Sequence, residues 1–174
     1  MRIDSTGPTD NDPPWKAWFH THGPRLLLFA RQQTRSRADA EDVVQEAVLK
    51  LWKRGASHSP PEPGAAFVAV RRAAIDLARR NTRRAAREEA TFERDQPPTA
   101  WFENTIENTE RRVAIESALR TLPMSQREVI ILKIWGELTF SEIGTTLSIP
   151  QFTAASRYRY ALTRLKDALA PILT

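Results

Sequence analysis

A chain of 174 residues with net charge +5 and no cysteine can fold as one domain or as two small helical ones, and it has no thiol for a disulfide or a thiolate metal site. Its 26 basic residues are 21 Arg and five Lys. A planar guanidinium suits phosphates and base edges better than an ammonium does, so this bias points toward nucleic acid. No apolar run approaches the roughly 20 residues that span a bilayer, and the polar start MRIDSTGPTDNDPP lacks the apolar core of a secretion signal, so a cytoplasmic location is expected.

Residues 1–14, rich in Pro, Asp, Asn and Thr, read as a disordered lead. The stretch WKAWFHTHGPRLLLFARQQ suggests helical turns broken at Gly23-Pro24, then a helix burying Leu27, Leu28 and the stem of Arg31. His20 and His22 here, and His58 further on, are candidate imidazole ligands, but no carboxylate cluster stands beside them and no metal site or cofactor is expected. Asp39 looks like the cap of a second helix. Ala40, Val43, Val44, Ala47, Val48 and Leu51 give that helix one buried face, with Glu41, Asp42, Gln45 and Glu46 on its polar flank.

GASHSPPEPG cannot continue a helix, because proline lacks the amide hydrogen and clashes with the preceding turn. A loop of about ten residues is long enough to be functional. A third helix follows, with Phe67, Val70, Ala74 and Leu77 facing inward. From Arg71 to Arg87 it carries seven arginines against one acid, Asp76. The sign then reverses: residues 88–110 hold seven acids and one Arg, interrupted by QPPT, as expected of a linker between two domains, 15–87 and 111–174.

In the second half, Ile115, Leu119 and Leu122 form a stripe that ends at Pro123. Ser125 with Glu128, and Thr139 with Glu142, both fit the S/T-x-x-E capping box, so two short helices are expected, with Gly136 as the stop between them. A last helix from near Pro150 buries Ala154, Tyr158, Ala161, Leu165 and Leu169. The fold class is all-α.

A helix over Phe140–Leu147, a turn at Ser148-Ile149-Pro150 and a long helix behind it make a helix-turn-helix pattern. At 100° per residue, the face opposite the apolar stripe carries Phe152, Ser156, Arg159 and Thr163, flanked by Thr153 and Tyr160. Guanidinium and hydroxyl groups can bond base edges or phosphates, and aromatic rings can meet thymine methyls. No acid lies between Glu142 and Lys166 to repel a phosphate backbone. Arg157, nearer the apolar stripe, is expected to tie the two helices together through Glu142. The plainer alternative for the whole face is the solvated side of a three-helix bundle.

The run LRTLPMSQREVIILKIWGELTFSEIGTTLSIPQFTAASRYRYALTRLK resembles the fourth conserved region of bacterial sigma factors of the extracytoplasmic-function (ECF) type. DAEDVVQEAVLKLW and FVAVRRAAIDLARRNTRR resemble the polymerase-docking and downstream-element helices of the second region, in the expected order. The resemblance implies a non-enzymatic transcription initiation factor with no catalytic residue. Its partners would be core RNA polymerase, promoter DNA and, in addition, an anti-sigma factor. It further implies polymerase docking by Asp42, Gln45 and Glu46. Downstream (−10) contacts would come from Arg71, Arg72, Arg79, Arg80, Arg83 and Arg84, beside a flipped-base pocket formed with the loop 56–64. Upstream (−35) contacts would come from Phe152, Thr153, Ser156, Arg159, Tyr160, Lys133 and Thr139. The acidic segment would thread through basic polymerase channels.

Three positions depart from the family pattern: Phe152 stands where Gly is frequent, Ala155 where some members place a basic contact, and Arg72 where Asn is common. Two other readings remain open on the sequence: a stand-alone helix-turn-helix regulator, and a sigma-like decoy that only binds an anti-sigma protein.

Overall fold

Three long helices come first, α1 (Pro14–Gln33), α2 (Arg37–Arg54) and α3 (Pro63–Arg87), followed by α4 (Thr109–Thr121), α5 (Met124–Ile134), α6 (Phe140–Leu147) and α7 (Gln151–Leu173). The computed structural model describes residues 14–54, 59–87, 101 and 109–173, and among these every regular element is an α-helix. The expected lead, most of the acidic linker and the first part of the Pro-rich loop lie outside the described residues.

α1 runs unbroken through Gly23 and Pro24, which corrects the expected interruption. An interior proline costs roughly 3 kcal/mol, but Leu26, Leu28 and Phe29 on the same helix are buried, at roughly 1.5–3 kcal/mol each. Packing outweighs the local preference. Gly23 is also buried, and a Cβ there would lie 3.2 Å from the Phe19 ring, so this glycine serves close packing and not a turn.

α2 is capped by Ser36 and not by Asp39: the Ser36 hydroxyl accepts a hydrogen bond from the Asp39 amide at 3.0 Å. Asp39 falls in the first turn, where a negative charge suits the helix dipole. Ala40, Val43, Val44 and Ala47 are buried as the periodicity implied. Pro63 opens α3, a position where its missing N–H is no loss. Phe67 then meets Phe29 edge to face at 5.6 Å.

In the second half two expectations need correction. Ile115 is exposed, leaving Ala118, Leu119 and Leu122 as the buried apolar positions around α4. The Ser125–Glu128 capping box does not form. Pro123 starts α5, accepting from the amides of Gln126 and Arg127 at 2.9 and 3.0 Å, so Ser125 already sits inside the first turn. Glu128 instead turns toward α1, where it accepts a hydrogen bond from Gln33. Gly136 ends α5 by close approach: a Cβ there would come within 2.5 Å of the Leu132 carbonyl oxygen. The left-handed residue of this turn is Glu137, at φ 57.

Leu119, Leu122, Ile130 and Ala161 form a small cluster among α4, α5 and α7. The larger cluster crosses the molecule, joining Leu26, Phe29, Phe67 and Val70 of the first three helices to Val129, Leu132, Ile143 and Leu147 of α5 and α6. α5 lies against α1, and α6 against α3.

Candidate nucleic-acid and polymerase surfaces

The helix-turn-helix is held by local chemistry that the sequence states directly. At the start of α6 the Thr139 hydroxyl accepts from the Glu142 amide at 3.2 Å, and the Glu142 carboxylate accepts from the Thr139 amide at 2.7 Å. The Thr139 hydroxyl also donates to that carboxylate, at 2.7 Å. These bonds from Thr139 hold the Glu142 carboxyl below its ordinary pKa. At the other end Ser148 adopts the left-handed conformation, and the Ile149 amide reaches back to the Gly144 carbonyl at 2.9 Å. Gly144 is required by this turn, since a Cβ there would stand 2.7 Å from the Ile149 carbonyl oxygen. Pro150 then caps α7, accepting from Thr153 and Ala154.

α7 presents Phe152 at 73% exposure and Tyr160 at 62%, with Arg159 exposed on the same side and Thr153 and Ser156 half-buried. Two of the expected upstream residues are engaged internally. Lys133 donates to the Leu138 carbonyl at 3.0 Å and lies over the Phe140 ring, and the Thr139 hydroxyl belongs to the capping box. The expected tie between Arg157 and Glu142 does not form, because the carboxylate is taken by Thr139.

The second cationic surface is the far half of α3. Arg79, Arg80, Arg83 and Arg84 are exposed there, while Arg71 and Arg72 lie before the helix middle, the first half-buried and the second exposed. Arg80, Arg83, Arg84 and Arg87 line an open groove of about 270 Å³. That is below the usual size of a small-molecule pocket, and one helix supplies the whole lining, so the feature is a charged strip. Of the Pro-rich loop, residues 59–64 are described, and they lead directly into α3. A Cβ on Gly64 would sit 3.5 Å from Glu142 Oε1, so the loop end abuts the capped start of α6.

On α2, Asp42 and Gln45 are exposed. Glu46 accepts from Lys50 at 2.6 Å and from Arg80 at 3.4 Å, and these bonds, Lys50's foremost, lower its pKa. Beside them Leu49 and Trp52 are each 46% exposed, an apolar addition that the sequence reading missed. The spacing 42, 45, 49, 52 on one helix face was its available signal. Trp101 was missed as well. Its amide donates to Glu116 at 3.0 Å, and its ring lies under the Arg120 guanidinium at 3.9 Å, with Arg127 at 5.3 Å.

Two all-α units, each with a cationic helix face and one of them a helix-turn-helix, define a nucleic-acid-binding protein of the multi-region type. Residues 18–84 match the family description Sigma-70 region 2, and residues 118–167 match Sigma-70, region 4. The chain belongs to the sigma-70 family, and the relatives it matches are of the ECF type.

It is 26% identical over 172 residues to the ECF RNA polymerase sigma factor SigE of Mycolicibacterium smegmatis, covering 97% of this chain and 66% of that protein. Against the ECF RNA polymerase sigma factor SigL of Mycobacterium tuberculosis it is 28% identical, covering 88% of each. The RNA polymerase sigma-E factor of Streptomyces avermitilis is 26% identical, covering 89% of this chain and 84% of that protein. Among solved structures, the sigma factor RpoE of Bartonella quintana, in complex with the anti-sigma factor NepR, shares the fold at a TM-score of 0.64 and 22% identity, over 90% of this chain and 96% of that one.

Proposed function

We propose that the chain is a transcription initiation factor, not an enzyme, that binds core RNA polymerase in the cytoplasm and directs it to promoters carrying two recognition elements. The observation that carries this reading is the pairing of an exposed guanidinium strip on α3 with an outward recognition face on α7 in one sigma-70 chain. In this reading residues 15–87 dock on polymerase and engage the downstream element, 88–110 tether, and 111–174 read the upstream element. Asp42, Gln45 and Glu46 form the docking face, extended by Leu49 and Trp52. An apolar centre within a polar rim is the usual anatomy of a protein interface.

The α3 arginines grip phosphates near an extruded base. Extrusion costs a few kcal/mol of stacking and pairing, which a cluster of guanidiniums beside the extruded base offsets without nucleotide hydrolysis. In this reading Arg159 contacts base edges, and Phe152 and Tyr160 make methyl and sugar contacts. Lys133 and Thr139 reach DNA only if they exchange their internal bonds for phosphate.

The test is transcription from a genomic fragment library with purified core polymerase, followed by start-site mapping. The expected result is a discrete set of starts that appear only with the factor. Gln45→Ala should weaken the complex with core polymerase on gel filtration without changing the melting temperature. A normal complex would remove this face from the docking site.

A further inference from the structure

The acidic segment between the regions carries a step beyond its role as a tether, and that step rests on the tether reading. We propose that region 4 holds a seat for Trp101, and that this indole pins the acidic segment at its middle, so that the regions are joined through residues 88–100 and not through the whole of 88–108.

Three kinds of contact place Trp101. The indole covers the small cluster of Leu119, Leu122, Ile130 and Ala161 and also packs against the larger one. An aromatic side chain has roughly 150–250 Å² to bury, a large addition to a cluster of four buried residues. The Arg120 guanidinium lies 3.9 Å from the ring centroid and that of Arg127 5.3 Å from it, both inside the roughly 6 Å reach of a cation–π contact. The Trp101 amide donates to Glu116 Oε2 at 3.0 Å, while Arg120 Nη2 donates to Oε1 at 2.7 Å.

Glu116 makes the seat specific. It is 9% exposed, and burying a carboxylate is costly unless it is hydrogen-bonded. Arg120 supplies one bond, and a backbone amide 15 positions earlier in the chain supplies the other. A ring settling on any apolar patch would need neither the carboxylate nor the two guanidiniums. Charge agrees with this fit. Burial, and next the charge of Arg120, lower the pKa of Arg127, with Glu128 opposing. The segment brought beside these cations, 88–110, holds seven acids against one Arg.

Seating Trp101 divides the segment. Thirteen residues, 88–100, separate α3 from the anchor, against twenty-one, 88–108, between α3 and α4. At roughly 3.4 Å per residue their greatest reach is about 44 Å and about 71 Å. Glu88, Glu89, Glu93 and Asp95 precede the anchor, whereas Glu103, Glu107 and Glu110 follow it. The working unit of region 4 thus starts at Trp101, well before the family match at residue 118.

The absence of native cysteine makes the seat directly measurable, because a nitroxide on Thr99→Cys reports on it in the free full-length chain. The parent should show a slow component in its electron paramagnetic resonance spectrum. Trp101→Ala should convert this to the fast spectrum of an unattached segment, and Arg120→Met, which keeps the stem and removes the cation, should shift it part of the way. A peptide of residues 95–107 should bind the Trp101→Ala chain, whose seat is empty. It should bind the parent at least about tenfold less tightly, since the tethered indole competes at a high effective concentration. The same peptide carrying Trp101→Ala should bind neither chain. A merely structural role for Trp101 does not produce this pattern. A spectrum unchanged by Trp101→Ala overturns the seat, and so does a peptide that binds both chains equally or binds neither.

The division of the tether is read by insertion. About 26 Gly/Ser residues placed after Asp95 triple the span between α3 and the anchor and should lower factor-dependent initiation about fivefold, following the −3/2 power of length. The same insertion after Asn104 lies between two points fixed on region 4 and should leave initiation unchanged. In the Trp101→Ala chain the two insertions should act alike. Equal effects in the parent overturn the division. If the parent directs no initiation at all, the promoter-recognition reading is what fails, and the spectrum and the peptide still decide the seat.

Discussion

Region 2 presents its arginines on the last third of α3, where every residue from Ala78 to Arg87 is exposed, whereas region 4 presents Phe152, Arg159 and Tyr160 on a helix fixed at its start by a capped neighbour, a glycine contact and Pro150. The first arrangement offers mobile charge along a strip, which suits phosphates. The second fixes side-chain positions closely enough to read base edges. The cores of the two regions are joined: Val129, Leu132, Ile143 and Leu147 of α5 and α6 belong to the same buried cluster as Leu26, Phe29, Phe67 and Val70 of the first three helices, while α5 and α6 also pack on α7. Region 4 therefore brings its own recognition geometry but shares part of its burial with region 2.

The largest expected effect tests that shared burial. Phe29→Ala removes a fully buried ring that packs on Phe67, and Ile143→Ala removes a fully buried side chain of α6. Such truncations cost roughly 2–5 kcal/mol. Because both residues belong to one cluster, each variant should lower a single calorimetric transition. If the regions melt separately, with Phe29→Ala moving one peak and Ile143→Ala the other, the contact of α5 and α6 with α1 and α3 does not couple them.

A smaller effect separates the two DNA surfaces. Arg159→Ala should cost roughly 1–3 kcal/mol of upstream-element recognition and relax specificity at one base position. Arg83→Ala should weaken binding about equally for all sequences and reduce the salt slope by about one. The readout is promoter binding with polymerase present, across a salt series and a set of single-base variants. Identical profiles for the two variants would mean that both surfaces act only through charge.

What could be read in advance follows the same division. The bounds of α6 and its turn came out of the sequence because their causes are local: a capping box, a left-handed Ser148 and Pro150 all lie within a dozen residues. The exposure of Arg159 and Phe152 followed from helical periodicity alone. Long-range contacts were not legible in this way. Ser125 and Glu128 fit the capping pattern as well as Thr139 and Glu142 do, yet Pro123 starts the helix early and Gln33, 95 positions away, takes the carboxylate. Pro24 read as a break because its penalty is local while its compensation, the burial of Leu26 and Phe29, is tertiary. Trp101 carried no periodic signal, since its partners Glu116, Arg120 and Arg127 belong to helices that begin after it.

The smallest effect concerns the start of α6, and its sign with pH can be worked out. The Glu142 carboxyl is held below its ordinary pKa, chiefly by the Thr139 amide and hydroxyl. A group depressed in the folded state contributes stability that is present above its unfolded pKa and lost as pH falls through the folded value. The capping contribution should therefore be complete at neutral pH and fade as the solution is acidified below about pH 4.5. Thr139→Ala removes both bonds made by the hydroxyl and should cost about 1 kcal/mol at pH 7, the usual worth of a helix cap. In acid the parent chain keeps the bond that the Thr139 hydroxyl accepts from the Glu142 amide but weakens the one it donates to the carboxylate, so the melting difference between parent and variant should narrow only in part as pH falls. A gap that stays constant to pH 3 would show that the Thr139 side chain stabilises α6 through the bond its hydroxyl accepts from the Glu142 amide and not through the ionised carboxylate.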